Sequence, residues 1–127
     1  MVVADSSIWI AYLRSPDSPP GRVLAELLDQ GEVLMLGIVM AEVLQGVRVG
    51  EDRRALEKIL TALPYEETRR RDWLRAAALG VGLRAKGLAV PPSDRLIAAQ
   101  ALAGDHAVYT LDRHFELIPG LKLHRAA

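Results

Sequence analysis

The stretch Val2-Val3-Ala4-Asp5-Ser6-Ser7-Ile8-Trp9-Ile10-Ala11-Tyr12-Leu13 decides the fold. Val2 to Ala4 is a short apolar run, a candidate for a buried strand, and Asp5 ends it. From Ser6 to Leu13, Ile8, Trp9, Tyr12 and Leu13 recur at helical spacing. The same alternation of short apolar run and helical pattern repeats downstream. Ser15 to Gly21 carries turn chemistry and is expected to be a loop. Arg22 to Gln30 reads as a helix stopped by Gly31. Val33 to Leu36 is a second strand, broken by Gly37, and Ile38 to Val47 a mostly buried helix. Glu51 to Thr61 follows as a charged helix with Ala55, Leu56, Ile59 and Leu60 on one face. Ala62 to Tyr65 is a third strand.

Thr68 to Lys86 gives a long helix, stopped by Gly87. Val90 to Ser93 is a loop in which Ser93 is the expected N-cap of a helix from Asp94 to Ala103. Ala107 to Thr110 is a fourth strand and Leu121 to His124 a fifth, after the Pro119-Gly120 turn. Short apolar strands separated by helices predict an α/β fold with a mainly parallel sheet of four or five strands. In such folds ligands sit outside the carboxyl ends of the strands, near a topological switch point.

Composition bounds the function classes. The 127 residues suit one domain, and half of them are apolar, so a packed core is expected rather than disorder. The absence of cysteine excludes disulfides, thiolate metal sites and a cysteine nucleophile. Uncharged stretches such as Val33 to Ala41 are far too short for a bilayer span. The first residues lack the basic and apolar regions of a signal peptide, so a cytoplasmic protein is expected. Lysine plus arginine and aspartate plus glutamate each number 16, so net charge alone points to no anionic partner. Arginine nevertheless outnumbers lysine thirteen to three, and arginine is the better phosphate reader.

Four acids stand where chemistry is expected. Asp5 and Asp112 follow strands, Asp94 opens a helix, and Glu42 lies about a helical turn beyond the second strand. Each has a structural reading: Asp5 as an N-cap, Glu42 on an exposed stripe, Asp94 as a first-turn acid complementing the helix dipole, and Asp112 as the cap of a turn at Arg113-His114-Phe115. A parallel sheet would nonetheless gather all four at one edge. Clustered carboxylates repel unless a cation joins them. Oxygen-only ligation suits Mg²⁺ and disfavours zinc and copper. Such a centre fits metal-assisted phosphodiester hydrolysis. No Ser-His-Asp arrangement or Walker sequence competes. His106, His114 and His124 have no metal-ligand spacing and read as surface or edge residues.

The motifs resemble those of the PIN-domain ribonucleases. Val2 to Ile10 with Asp5-Ser6-Ser7 resembles their first motif, and Met40-Ala41-Glu42-Val43-Leu44-Gln45-Gly46 their second. Pro92-Ser93-Asp94-Arg95 resembles the third, and Tyr109-Thr110-Leu111-Asp112-Arg113-His114-Phe115 the fourth. Their order covers nearly the whole chain, and the size suits the VapC-like toxins of toxin–antitoxin pairs. The resemblance implies a single PIN domain over 1–127, a three-layer α/β/α fold with a parallel sheet, and a Mg²⁺- or Mn²⁺-dependent endoribonuclease cutting transfer or ribosomal RNA. It implies inhibition by a VapB-like antitoxin, and a homodimer. It carries catalytic and metal-site roles onto Asp5, Glu42, Asp94 and Asp112, with Ser7 and Thr110 orienting ligands or waters. In-line attack by water would leave a 5′-phosphate and a 3′-hydroxyl.

Arg69, Arg70, Arg71 and Arg75, with Arg53 and Arg54, are candidate contacts to RNA phosphates. Their alternative is a solvated face paired to Glu66, Glu67 and Asp72. Trp73 beside them is expected to pack rather than stack on bases. Two other functions compete. A receiver-like signalling domain would need a phospho-accepting aspartate after a central strand and a late lysine, and Lys58, Lys86 and Lys122 are poorly placed for that. A PIN-like RNA-binding module without catalysis is the other.

Overall fold

The middle of the sheet is β1 (Val2–Ala4), which pairs in parallel with β4 (Ala107–Tyr109) in the register Val2–Ala107, Val3–Val108, Ala4–Tyr109. The structure, a computed structural model, describes residues 1–48 and 50–125. On the other side of β1 the Val2 amide donates to Glu32 O (2.8 Å) and the Leu34 amide donates to Val2 O (2.8 Å). That parallel bridge leads into β2 (Met35–Leu36), which pairs in parallel with β3 (Tyr65–Glu66). Beyond β4, Val108 bridges Leu123, again in parallel. The order is therefore β3, β2, β1, β4, then the C-terminal segment. The chain starts in the middle, builds outward to β3, and returns to the other side for β4. The switch lies between β1 and β4, so a crevice is expected outside their carboxyl ends.

Among the described residues six helices cover the sheet: α1 (Ser6–Arg14), α2 (Pro19–Asp29), α3 (Gly37–Gln45), α4 (Glu51–Ala62), α5 (Arg70–Ala85) and α6 (Pro92–Gly104), with a 3₁₀ turn at Arg113–Leu117. α1 packs on α2 and α3, α3 on α4, and α5 on α6. This is the expected three-layer α/β/α arrangement. Val3, Ile8, Trp9, Leu24, Met35, Leu36, Leu60, Ile97 and Phe115 are fully buried between the layers. No helix among the described residues is long and apolar enough to cross a membrane.

Several local expectations shift. The expected loop Ser15–Gly21 ends early, because α2 starts at Pro19. Pro19 and Pro20 fill the first helical positions, where no amide hydrogen is needed, and Ser18 Oγ accepts the Gly21 amide (3.2 Å). The same logic moves the start of α6 to Pro92, so Ser93 lies inside the first turn and is not the cap. The third strand falls at Tyr65–Glu66, because α4 continues to Ala62. The long helix begins at Arg70 rather than Thr68, with Asp72 closing its first turn by accepting the Arg69 amide (2.8 Å). The fifth strand reduces to the single bridge at Leu123. In α4 only Leu56 and Leu60 of the expected face are buried, whereas Ala55 and Ile59 are exposed.

Gly21 is where α2 comes closest to the preceding loop. A Cβ built there lies 2.8 Å from both the Ser15 and Pro16 carbonyl oxygens. Both obstacles are backbone and cannot rotate away. Alanine normally stabilises a helix relative to glycine, but here the sign reverses. Gly21→Ala is expected to cost about 1–3 kcal/mol and lower Tm by roughly 5–10 °C. A thermal melt showing an unchanged or raised Tm would contradict this close approach.

Candidate functional site

Asp5 leaves β1 at its carboxyl end, and its own amide donates to Tyr109 O (3.0 Å) at the end of β4. This places Asp5 at the switch point. Asp5 Oδ1 accepts the Ser7 amide (3.1 Å), the Ile8 amide (3.3 Å) and Ser7 Oγ (2.5 Å), so it is the N-cap of α1. Its Oδ2 accepts Thr110 Oγ1 (2.5 Å). Thr110 Oγ1 in turn accepts the Asp112 amide (2.9 Å), and Ser7 Oγ accepts the Leu111 amide (3.0 Å). Ser7 and Thr110 thus bind the first strand–helix junction to the loop after β4. Asp5 is 5% exposed. Its burial raises the pKa, against the lowering effect of these hydrogen bonds.

Asp94 lies in the first turn of α6 and makes no capping bond. Its pKa is raised, first by burial and then by the charge of Asp112, with a smaller contribution from Asp5. His114 acts in the opposite direction. Glu42, half-buried on α3, has a raised pKa from burial first and then from the charges of Asp94 and Asp5. Asp112 caps the 3₁₀ turn by accepting the His114 amide (2.9 Å). The sheet edge therefore places Asp94 within electrostatic reach of Asp5, Glu42 and Asp112, the four acids expected from the sequence. The structural readings of Asp5 and Asp112 hold as well, since each caps an element while facing the cluster.

His114 is the residue that sequence reasoning missed. Its Nδ1 lies 3.4 Å from Asp94 Oδ2 and 3.0 Å from Asp112 Oδ1. Asp94, Asp112 and His114 each offer a donor atom within 4.8 Å of the others. The imidazole sits at the edge of the molecule, as expected, but it faces the acids. Only the tight 3₁₀ turn brings Asp112 and His114 to one side, and no spacing rule for metal ligands covers that case. The donor set is thus oxygen-rich with one imidazole at its rim. It fits a hard divalent cation with open positions. The mutual repulsion that raises the Asp94 and Glu42 pKa values is what such a cation relieves.

The basic residues lie elsewhere. Thr68 Oγ1 donates to Gln100 Oε1 (2.8 Å), and Gln100 Nε2 donates to Glu67 O (3.4 Å). Gln100 is 2% exposed and stands well along α6 from Asp94. Arg69, Arg70 and Arg71 follow this anchor in the chain, at the start of α5. Arg95, beside Asp94, instead meets the middle of α5: its Nη1 donates to Ala76 O and its Nε to Val90 O (both 3.0 Å). Arg75 borders a cavity of about 230 Å³ with Ala78, Gly82 and Pro119. Arg53 and Arg54 are on α4. Among the described residues none of these arginines is ion-paired with Glu66, Glu67 or Asp72, because Asp72 is buried on its helix cap and Glu66 faces His106 (3.3 Å). Trp73, expected to pack, is 58% exposed. It lies on the outer side of α5, with no element of the described residues over it.

The PIN domain family profile matches residues 2–121. No curated protein matches the chain. Among solved structures, VapBC2 from Rickettsia felis, bound to a DNA fragment from its promoter, has 25% identity, a TM-score of 0.80 and full coverage (100%) of both chains. DNA-bound VapBC from Salmonella typhimurium has 20% identity and a TM-score of 0.81, covering 97% of this chain and 96% of that one. VapC20 from Mycobacterium tuberculosis, a sarcin-ricin loop cleaving toxin, has 17% identity and a TM-score of 0.71, covering 99% and 100%. A match over nearly the whole chain assigns the family: the chain belongs to the PIN domain family.

Proposed function

We propose that this protein is a metal-dependent endoribonuclease, the toxin of a VapBC-type toxin–antitoxin pair, held in check by a VapB-like antitoxin. The observation that carries the reading is the convergence of Asp5, Glu42, Asp94 and Asp112 outside the carboxyl ends of β1 and β4, where burial first and then the neighbouring carboxylates raise the Asp94 and Glu42 pKa values. Asp5 and Asp94 are the direct ligands of Mg²⁺ or Mn²⁺, with Glu42 and Asp112 completing the set. Ser7 and Thr110 hold Asp5 in one rotamer and keep both its oxygens oriented. His114 braces Asp94 against Asp112 at the rim. Bound there, the cation supplies electrophilic stabilisation of a phosphodiester and a water nucleophile. The substrate is RNA of the transfer or ribosomal class, cut to a 5′-phosphate and a 3′-hydroxyl.

The likeness to VapBC complexes supports an antitoxin partner and a cytoplasmic setting, with one PIN domain spanning 1–127. A homodimer is part of the reading, supported by the apolar outer face of α5, where Trp73, Leu74 and Val81 are 58%, 67% and 60% exposed. The test is incubation of the purified protein with total RNA, with Mg²⁺ or Mn²⁺ and with chelator. Cleavage is expected with metal only, leaving ends that ligate without prior phosphorylation. Cleavage that survives chelation, or that persists in Asp5→Asn and Asp94→Asn, would overturn the reading. RNA binding without any cleavage would favour the inactive PIN-like module instead.

A further inference from the structure

A nuclease whose centre is a cluster of carboxylates repels the polyanion it must bind. Cations near that centre have to offset this, and Arg69, Arg70 and Arg71 lie at the start of α5, next to the Thr68–Gln100 contact. A different set lies beside the acids. A cavity of about 240 Å³ opens between the loop after β4 and the C-terminal segment, and it shares Thr110 and Asp112 with the acidic cluster. Its other polar walls are Arg113, Glu116, His124 and Arg125.

We propose that this cavity is a subsite for an RNA phosphodiester group next to the one that is cut, held by Arg113 and Arg125 with His124. The inference rests on the nuclease reading above. Three features support it. The cavity holds several times the ~30 Å³ share of one water, so a phosphate group fits with part of its hydration. Its backbone wall and His124 are fixed before any ligand arrives: the Val108 amide donates to Lys122 O (2.9 Å) and the His124 amide to Val108 O (2.8 Å), while the His124 ring stands edge-on to Tyr109 at 5.3 Å. Its cations are weakly engaged: Arg125 is paired only loosely with Glu116 at 3.8 Å, and Arg113 has no ion pair among the described residues. Arginine forks suit phosphate oxygens. Because Thr110 also bonds Asp5, a phosphate in the cavity would fix the strand register at the acids.

The experiment compares wild type with R113A/R125A on two substrates, a single-stranded RNA oligonucleotide and a dinucleoside monophosphate. The shorter substrate has only the phosphodiester that is cut. On the oligonucleotide, KM is expected to rise about tenfold with kcat within about twofold. On the dinucleoside monophosphate the two proteins should behave alike. Oligonucleotide binding by fluorescence anisotropy should lose about one unit of log–log salt slope in the variant, at ~0.7 per phosphate contact. R113K/R125K should restore most of the affinity. Equal losses on both substrates, or an unaltered salt slope, would overturn the subsite. If wild type cleaves neither substrate with Mg²⁺ or Mn²⁺, the nuclease reading fails, and the anisotropy slope still decides whether these arginines hold phosphate.

Discussion

Asp94→Asn is expected to move activity and stability in opposite directions. With Mg²⁺ or Mn²⁺ present, RNA cleavage should fall by roughly 10³-fold or more, the effect of losing several kcal/mol of transition-state stabilisation. Without metal, the variant should melt about 2–5 °C above wild type. The sign follows from the raised pKa of Asp94, caused first by burial and then by Asp112. A carboxylate raised in the folded state binds its proton more tightly there than when unfolded. Its ionised form therefore destabilises the fold, and stability falls as pH rises from the ordinary value of 3.8 through the folded pKa. Asparagine removes that penalty, so its advantage is present at neutral pH and shrinks as pH approaches the ordinary carboxylate range. Metal reverses the order, because a ligand at 100 times its Kd adds about 2.7 kcal/mol to wild type alone. Asp5→Ala behaves differently. Asp5 caps α1 and ties it to Thr110, so its loss is expected to cost about 1–2 kcal/mol even without metal. Melts of the three proteins at pH 7, with and without Mn²⁺, check both signs. An Asp94→Asn protein that melts well below wild type without metal would mean that Asp94 is a structural first-turn acid.

These two acids also show what could be read from the chain. Asp5 was legible because a three-residue apolar run is followed directly by a helical pattern, which leaves the junction residue at a strand's carboxyl end. Glu42 was legible because an acid amid Ile38, Val39, Val43 and Leu44 needs a reason to be there. Their meeting followed from parallel topology alone. Helix starts were less legible, since Pro19-Pro20 and Pro92 read as loop residues yet supply first-turn positions that need no amide. His114 was hidden because its approach to Asp94 depends on a 3₁₀ turn that Asp112 itself caps. The arginines are a different case: a run of basic residues shows charge but not what that charge meets. Trp73 shows the limit of hydrophobic pattern. An apolar residue on a helix signals burial, yet a single chain does not reveal whether its own core or another molecule supplies the cover.

For α5 the expected cover is a second copy of this chain. Leu74 and Val81, seven positions apart, lie on one side with Ala77, Ala78 and Ala85, while Ala76, Gly80 and Leu83 face α6 and the core. Two such helices running antiparallel about a two-fold axis between Ala77 and Ala78 set Leu74 against the partner's Val81. Trp73 then meets the partner's Gly82, where a Cβ would find no neighbour within 4 Å, beside the cavity of about 230 Å³ that Pro119 closes. Such self-complementarity is what an isologous interface requires, and exposed tryptophan is typical of interface anchors. Arg71 and Arg84 fall at the rim, so like charges approach and the dimer should tighten as salt rises. Leu74→Arg is expected to weaken dimerisation by at least ~100-fold, seen as a shift to monomer in sedimentation, because it buries an unpaired charge. The chain has no cysteine, which allows a direct test of register. L74C/V81C should form an intersubunit disulfide under mild oxidation. L74C alone should not, since the two thiols would stand about 10 Å apart along the axis at 1.5 Å per residue. Cross-linking by L74C alone, or a dimer untouched by Leu74→Arg, would move the interface off α5.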